Sequence, residues 1–208
     1  MLKRNIQLMA AIGALAAVTA VGAVAQSGDG TNGSPGEDVA QVTTVEPEAR
    51  AAASVLARGR VAGDALPDHV VEQMSARPRF GMNPSLSRRA IGSLSNSVYL
   101  IPASGFVCAA LTVGDGANMT CAETSKLAAG QSGPSTVSLA GGAIAIYGMV
   151  PDGVDSVSVA TDDGSGGATK VVSNAFFKVV PAGTGLKTVG YSGPSGSVRY
   201  PIYDPSAP

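Results

Sequence analysis

The residues able to do chemistry are few: one histidine, two cysteines, and serines and aspartates that fall mostly in Gly-rich stretches. In Asp68-His69-Val70-Val71-Glu72, His69 and Glu72 are three apart and share one face of a helix. Two ligands do not make a metal site, and a solvent-facing histidine is the simpler reading. A Ser-His-Asp triad would have to recruit this same His69. Ser132 and Ser195 stand in Gly130-Gln131-Ser132-Gly133 and Gly193-Pro194-Ser195-Gly196. Neither has the G-x-S-x-G elbow between strand and helix that exposes a nucleophile, so both read as loops. Asp152, Asp155, Asp162 and Asp163 are the densest acids. In turns at opposite ends of a strand over 154–161 they stand about 20 Å apart and cannot share one Ca²⁺. Gly28-Asp29-Gly30-Thr31-Asn32-Gly33 matches G-x-G-x-x-G by letter. A dinucleotide site needs a strand before that run and a helix after it, and neither is offered. Gly183-Thr184-Gly185-Leu186-Lys187-Thr188 echoes a phosphate loop without its spacing or its helix. No catalytic, cofactor-binding or metal-ligating residue is expected, and no cofactor.

The two cysteines carry the clearest chemistry. Cys108 and Cys121 flank Gly114-Asp115-Gly116-Ala117-Asn118, a turn that folds one strand back on the next and brings the thiols together. In an exported chain such a pair oxidises. Closing so short a loop contributes about 3 kcal/mol by the chain-entropy relation. The rivals are weaker. A redox-active pair wants C-x-x-C, and a metal site wants histidine nearby.

Export is itself legible. Lys3 and Arg4 precede an uncharged run from Leu8 to Ala25, in which 15 of 18 residues are apolar. Ala23 and Ala25 offer the small residues a signal peptidase reads, with cleavage before Gln26. The competing reading is an uncleaved anchor over residues 6–25, long enough to span a bilayer and the chain's only expected contact with membrane. Either way the remainder lies outside the cytoplasm, secreted or held at the cell envelope.

Charge then divides the mature chain. Residues 26–49 carry −5, residues 50–89 carry +4 and residues 90–208 carry −2. The near-neutral total gives no reason to expect nucleic-acid binding. The positive zone reads either as a solvated connector or as an Arg-bearing arm that touches an anionic envelope polymer or lipid headgroups.

The elements that must position these residues fall into zones. Residues 1–25 are the signal, and 26–45 are a Gly/Ser/Asn/Asp tether with almost nothing to bury. Residues 46–76 read as a helical segment, opened by Pro47 and interrupted by Gly59 and Gly63, with a second short helix from Asp68. Residues 77–97 read as an Arg/Pro/Ser-rich connector. Residues 98–203 hold eight of the nine aromatics and recurring short apolar runs between turn residues, and so should form the folded core. Expected strands are 98–101, 106–113, 118–122, 136–139, 143–150, 154–161, 169–180, 186–191 and 197–203. Ala143–Val150 is apolar on both faces and should be central. Val157, Val159 and Thr161 alternate with Ser156, Ser158 and Ala160. Pro201 and the half-polar alternation place the last strand, with Tyr203, at an edge. The expectation is a mainly β chain: a small antiparallel sandwich or barrel-like domain behind a short helical segment and a flexible tether.

The run Val98-Tyr99-Leu100-Ile101-Pro102, then Gly105, Cys108, Cys121 and Val150-Pro151-Asp152-Gly153-Val154, resembles a group of uncharacterised exported proteins of high-GC Gram-positive bacteria. Those chains share a signal or anchor, an Arg/Pro-rich lead-in and a YLxP…C…C…VPDGV core. The resemblance covers about residues 77–180 of this chain. It implies export and a single β-domain, and no activity. The expected function is therefore a non-catalytic domain with a binding or structural role at the envelope, its partner an anionic polymer or another protein. The rivals are a secreted Ser- or carboxylate-based hydrolase and a membrane-anchored extracytoplasmic sensor or assembly factor.

Overall fold

The computed structural model describes residues 40–75, 80–92 and 96–202. The signal, the Gly-rich run at 28–33, most of the tether and Tyr203 lie outside the described residues. The chain is mainly β, in three antiparallel sheets, as its alternating patterns require.

The first sheet runs β1 (Arg88–Gly92), β2 (Asn96–Ala103), β3 (Phe106–Val113), β4 (Gly116–Glu123) in that spatial order. The second has β6 (Ile144–Met149) between β5 (Ser135–Ser138) and β9 (Ala175–Val180). The third runs β11 (Gly196–Pro201), β10 (Leu186–Gly193), β7 (Ser156–Thr161), β8 (Gly167–Lys170).

The second sheet is the middle layer. On β6, Ala145, Tyr147 and Met149 join Val98, Leu100, Val107, Ala109 and Leu111 of the first sheet in one apolar cluster. Ile146, with Val150 just past the strand, joins Val157, Val159, Val189 and Tyr191 on the other side. A strand buried on both faces needs apolar residues in both parities, which is what 143–150 supplies. The antiparallel sandwich expected from the sequence is built of three stacked sheets.

The helical segment docks on these layers. Helix α1 (Pro47–Ala52) and the 3₁₀ turn Ser54–Ala57 bury Ala49, Ala52, Val55 and Leu56 in the cluster between the first two sheets. Helix α3 (Thr124–Ala128) adds Leu127 to the same cluster. Helix α2 (Asp68–Ser75) turns Val70 and Met74 onto the opposite face of the first sheet, against Tyr99, Ile101, Cys108 and Ala110. Neither α1 nor α2 is long enough to stand alone in water, so packing of its apolar face fixes it. No helix among the described residues is long and apolar enough to cross a membrane.

Two expectations are corrected. Residues 88–92, read as connector, form β1 and pair with β2. Residues 169–180, read as one strand, are two, because Ser173 and Asn174 adopt φ of 50° and 66° and reverse the chain. Asn and Ser in tight turns supply such reversals without Gly or Pro.

Cys108 and Cys121 are bonded, as their spacing across the turn predicts. They face each other directly in the β3–β4 ladder, with Cα atoms 4.0 Å apart.

Candidate functional site

The most heavily charged arrangement grows from Asp64. A 3₁₀ turn over Ala62–Asp64 carries this carboxylate inward until only 1% of the residue is exposed. A buried carboxylate needs every lone pair answered. Arg58 answers with a two-pronged bridge, Nη2 to Oδ1 at 2.6 Å and Nη1 to Oδ2 at 2.7 Å. The Val61 N–H donates to Oδ2 at 2.8 Å and the Arg89 N–H to Oδ1 at 2.8 Å. The Arg58 bond holds the Asp64 carboxyl well below the usual carboxylate range, and burial opposes it.

Asp64 thus pins the helical segment to β1, and three further guanidinium groups collect around it. Arg88 is itself buried and spends its donors on main-chain oxygens of Arg58, Leu86 and Ser87. Burial pushes the Arg88 guanidinium value down, Asp64 raises it, and the charges of Arg58 and Arg60 lower it further. Arg89 faces solvent on the neighbouring position of β1, its guanidinium lying over Gly63 and Gly92 where a Cβ would collide with it. Arg60 is exposed. Four cations on one carboxylate leave three positive charges in this cluster. The sequence leaves the positive zone as either a solvated connector or an Arg-bearing arm; in the structure Arg58 and Arg88 are structural pins, and Arg60 and Arg89 stay at the surface.

The other candidates do not converge. His69 sits half-buried on α2, and its Nε2 has no partner among the described residues. Ser132 is buried, and its hydroxyl donates to the Met149 carbonyl at 3.1 Å. Ser195 lies at the exposed tip of the β10–β11 hairpin. No hydrogen bond joins either serine to His69 among the described residues, so the pairing that a serine hydrolase needs does not form there. Asp152 and Asp155 precede β7, while Asp162 and Asp163 follow it. Asp152 accepts from Ser54 and Asn174, and Asp162 from the Gly185 N–H. The Ser165 N–H, first among several donors, holds Asp163 down to about 2. No group of three metal-ligating side chains occurs among the described residues. Leu186-Lys187-Thr188 opens β10 and no helix, so the phosphate-loop echo has no cradle.

A cleft of about 550 Å³ crosses the outer face of β7, β10 and β11. It is floored by Ser156, Ser158, Gly190 and Ser192, with Arg199 and Asp155 also on its lining. It gathers hydroxyl groups but no nucleophile–base pair.

The comparisons leave this geometry to speak for itself: no protein-family model, curated protein or solved structure matches the chain.

Proposed function

We propose that the chain is an exported, non-catalytic β-domain with a binding role at the cell envelope. Its binding surface is formed by the exposed Arg60 and Arg89, which the Arg58–Asp64 bridge and the buried Arg88 hold in place, and its partner is a polymer of repeating phosphate or carboxylate groups. The observation that carries this reading is the surplus of guanidinium groups. One carboxylate fixes the cluster, and two exposed arginines stand beside it without an ion pair among the described residues. Arginine presents a planar fork matched to phosphate and carboxylate, so a fixed group of them suits a polyanion better than a neutral glycan.

Export is supported by the Lys3–Ala25 signal pattern and by the Cys108–Cys121 bond, which is at home in an oxidising compartment. The binding test uses the chain from Gln26 onward with poly(glycerol phosphate), and neutral dextran as control. Binding that weakens with salt, and that drops roughly tenfold in the pair Arg60→Ser/Arg89→Ser, is expected. Equal binding of both polymers, or a double variant that binds unchanged, overturns the reading.

A further inference from the structure

Sheets end in edges, and among the described residues five of the six edges are blunted. β1 carries Arg88 and Arg89 and a register shift between Arg89 and Ile91. β5 and β8 have four residues each, and β8 ends in Lys170. β9 carries Lys178, and β11 carries Arg199 and Pro201. Charges, prolines, bulges and shortness are the usual means of keeping an edge from pairing. β4 has none of them before its last residue, Glu123. It is eight residues long, follows β3 without a register shift, and has no charge from Gly116 to Ala122.

The register also says which main-chain groups β4 turns outward. The 4.0 Å Cα separation at Cys108 and Cys121 marks a narrow, non-hydrogen-bonded pair. Alternation then makes Ala117, Met119 and Glu123 members of narrow pairs as well. The bond from the Thr124 N–H to the Gly105 carbonyl, at 2.9 Å, falls on the opposite parity and agrees with this phase. Ala117, Met119, Cys121 and Glu123 therefore direct their N–H and C=O groups away from β3. Among the described residues no main-chain group answers those of Ala117, Met119 or Cys121.

We propose that β4 is the docking edge for a second copy of this chain, the two strands running antiparallel about a two-fold axis at Thr120. In this register Thr120 faces its own copy, Met119 faces Cys121, Asn118 faces Ala122 and Ala117 faces Glu123. Each outward residue meets another outward residue, giving about eight main-chain hydrogen bonds at two per wide pair. The Thr–Thr contact on the axis is a favourable cross-strand pair. Charge favours this occupant and disfavours a neighbouring register. Two copies of a strand uncharged from Gly116 to Ala122 meet without repulsion, each Glu123 facing Ala117 of the other copy. An axis at Met119 would instead set Glu123 against Asp115 of the other copy, like charge on like. Two four-stranded sheets become one of eight, and the interface is isologous.

Sedimentation equilibrium of the chain from Gln26 tests this over a concentration series. A monomer–dimer equilibrium is expected. Met119→Pro and Ala117→Pro remove N–H groups that point away from β3, so each leaves the intramolecular ladder whole. Each should weaken the dimer roughly tenfold or more with an unchanged far-ultraviolet spectrum. Amide exchange on the unaltered chain gives a reading free of variants: protection at Ala117, Met119 and Cys121 should rise with concentration. Thr120→Cys should cross-link two copies and Asn118→Cys should not. A single monomeric species throughout, a dimer indifferent to both proline variants, or fast exchange at those three amides at every concentration overturns the proposal.

Discussion

Ser54 and Asp152 stand 98 positions apart in the chain and meet directly, Ser54 Oγ donating to Asp152 Oδ1 at 2.6 Å and Ser54 N–H to Oδ2 at 3.2 Å. Asn174 completes the junction. Its Nδ2 donates to Asp152 at 2.8 Å, and its Oδ1 accepts from the Val55 N–H at 3.1 Å. The 3₁₀ turn at Ser54–Ala57 is thereby fastened to the loop after β6 and to the β8–β9 turn. Asp152→Ala should cost about 1–3 kcal/mol, because it strands donors on both sides. Urea denaturation reads this as a lower midpoint at constant m. An unchanged midpoint would show that the fastening is incidental.

At Asn174 the backbone and the side chain act separately. Its φ of 66° lies in the left-handed region, which glycine enters freely and alanine does not. Asn174→Gly therefore loses only the side-chain bonds. Asn174→Ala loses those bonds and adds about 1 kcal/mol of backbone cost. The ranking of the two variants, Ala below Gly, is the measurement. The reverse order contradicts this account of the turn.

Asp64 makes stability depend on acid. Its folded value lies below its unfolded value, so the unfolded chain takes up protons first as pH falls. The contribution is complete above the unfolded value of about 4 and is lost as pH falls from there towards the folded value. Asp64→Asn should be less stable at neutral pH by about 2 kcal/mol, because Arg58 loses its charged partner. The gap from the natural chain should narrow as pH drops below about 4. A constant gap across that window would rule Asp64 out as the acid-sensitive group.

Removal of the disulfide should be felt throughout the domain. Cys108→Ser with Cys121→Ser is expected to cost about 3 kcal/mol, from the freedom returned to the unfolded loop. Maleimide labelling of the unreduced, denatured natural chain should find no thiol. Labelling of both cysteines would contradict the bond.

Gly166 and Gly59 form a contrasting pair. A Cβ at Gly166 would run into the Val159 carbonyl, whereas one at Gly59 meets nothing within 4 Å. Gly166→Ala should cost about 3 kcal/mol and Gly59→Ala almost nothing. Thermal midpoints of the two variants separate them. Equal midpoints would mean that the β7–β8 turn has room to shift.

The parts of the fold legible in the sequence were those written in short-range periodicity. β7 alternates Val157, Val159 and Thr161 inward with serines and alanine outward, and its burial follows that pattern. β6 reads as central because both parities are apolar, and it is central. β1 escaped notice because Arg88 and Arg89 look like solvent-facing residues. Arg88 is buried only because main-chain oxygens 1, 2 and 30 positions away receive its donors. The same distance hid the arginine cluster, since Arg58 and Arg89 come together through Asp64 and not through sequence proximity. A clue was present. Asp64 is an acid amid arginines, beside the flexible Gly63 and within seven residues of Arg58. The Ser173–Asn174 reversal was hidden because neither residue is Gly or Pro, although Asn tolerates the left-handed region better than most.

The middle layer bears on how the molecule comes apart. β6 contributes Tyr147 to one apolar cluster and Ile146 to the other, so neither cluster is complete without this single strand. Neither the N-terminal four-stranded meander nor the C-terminal hairpins can shed the other half and keep their own interior dry. Loss of β6 exposes both at once. Three sheets joined in this way should melt as one cooperative unit, and calorimetric and van't Hoff enthalpies are expected to agree.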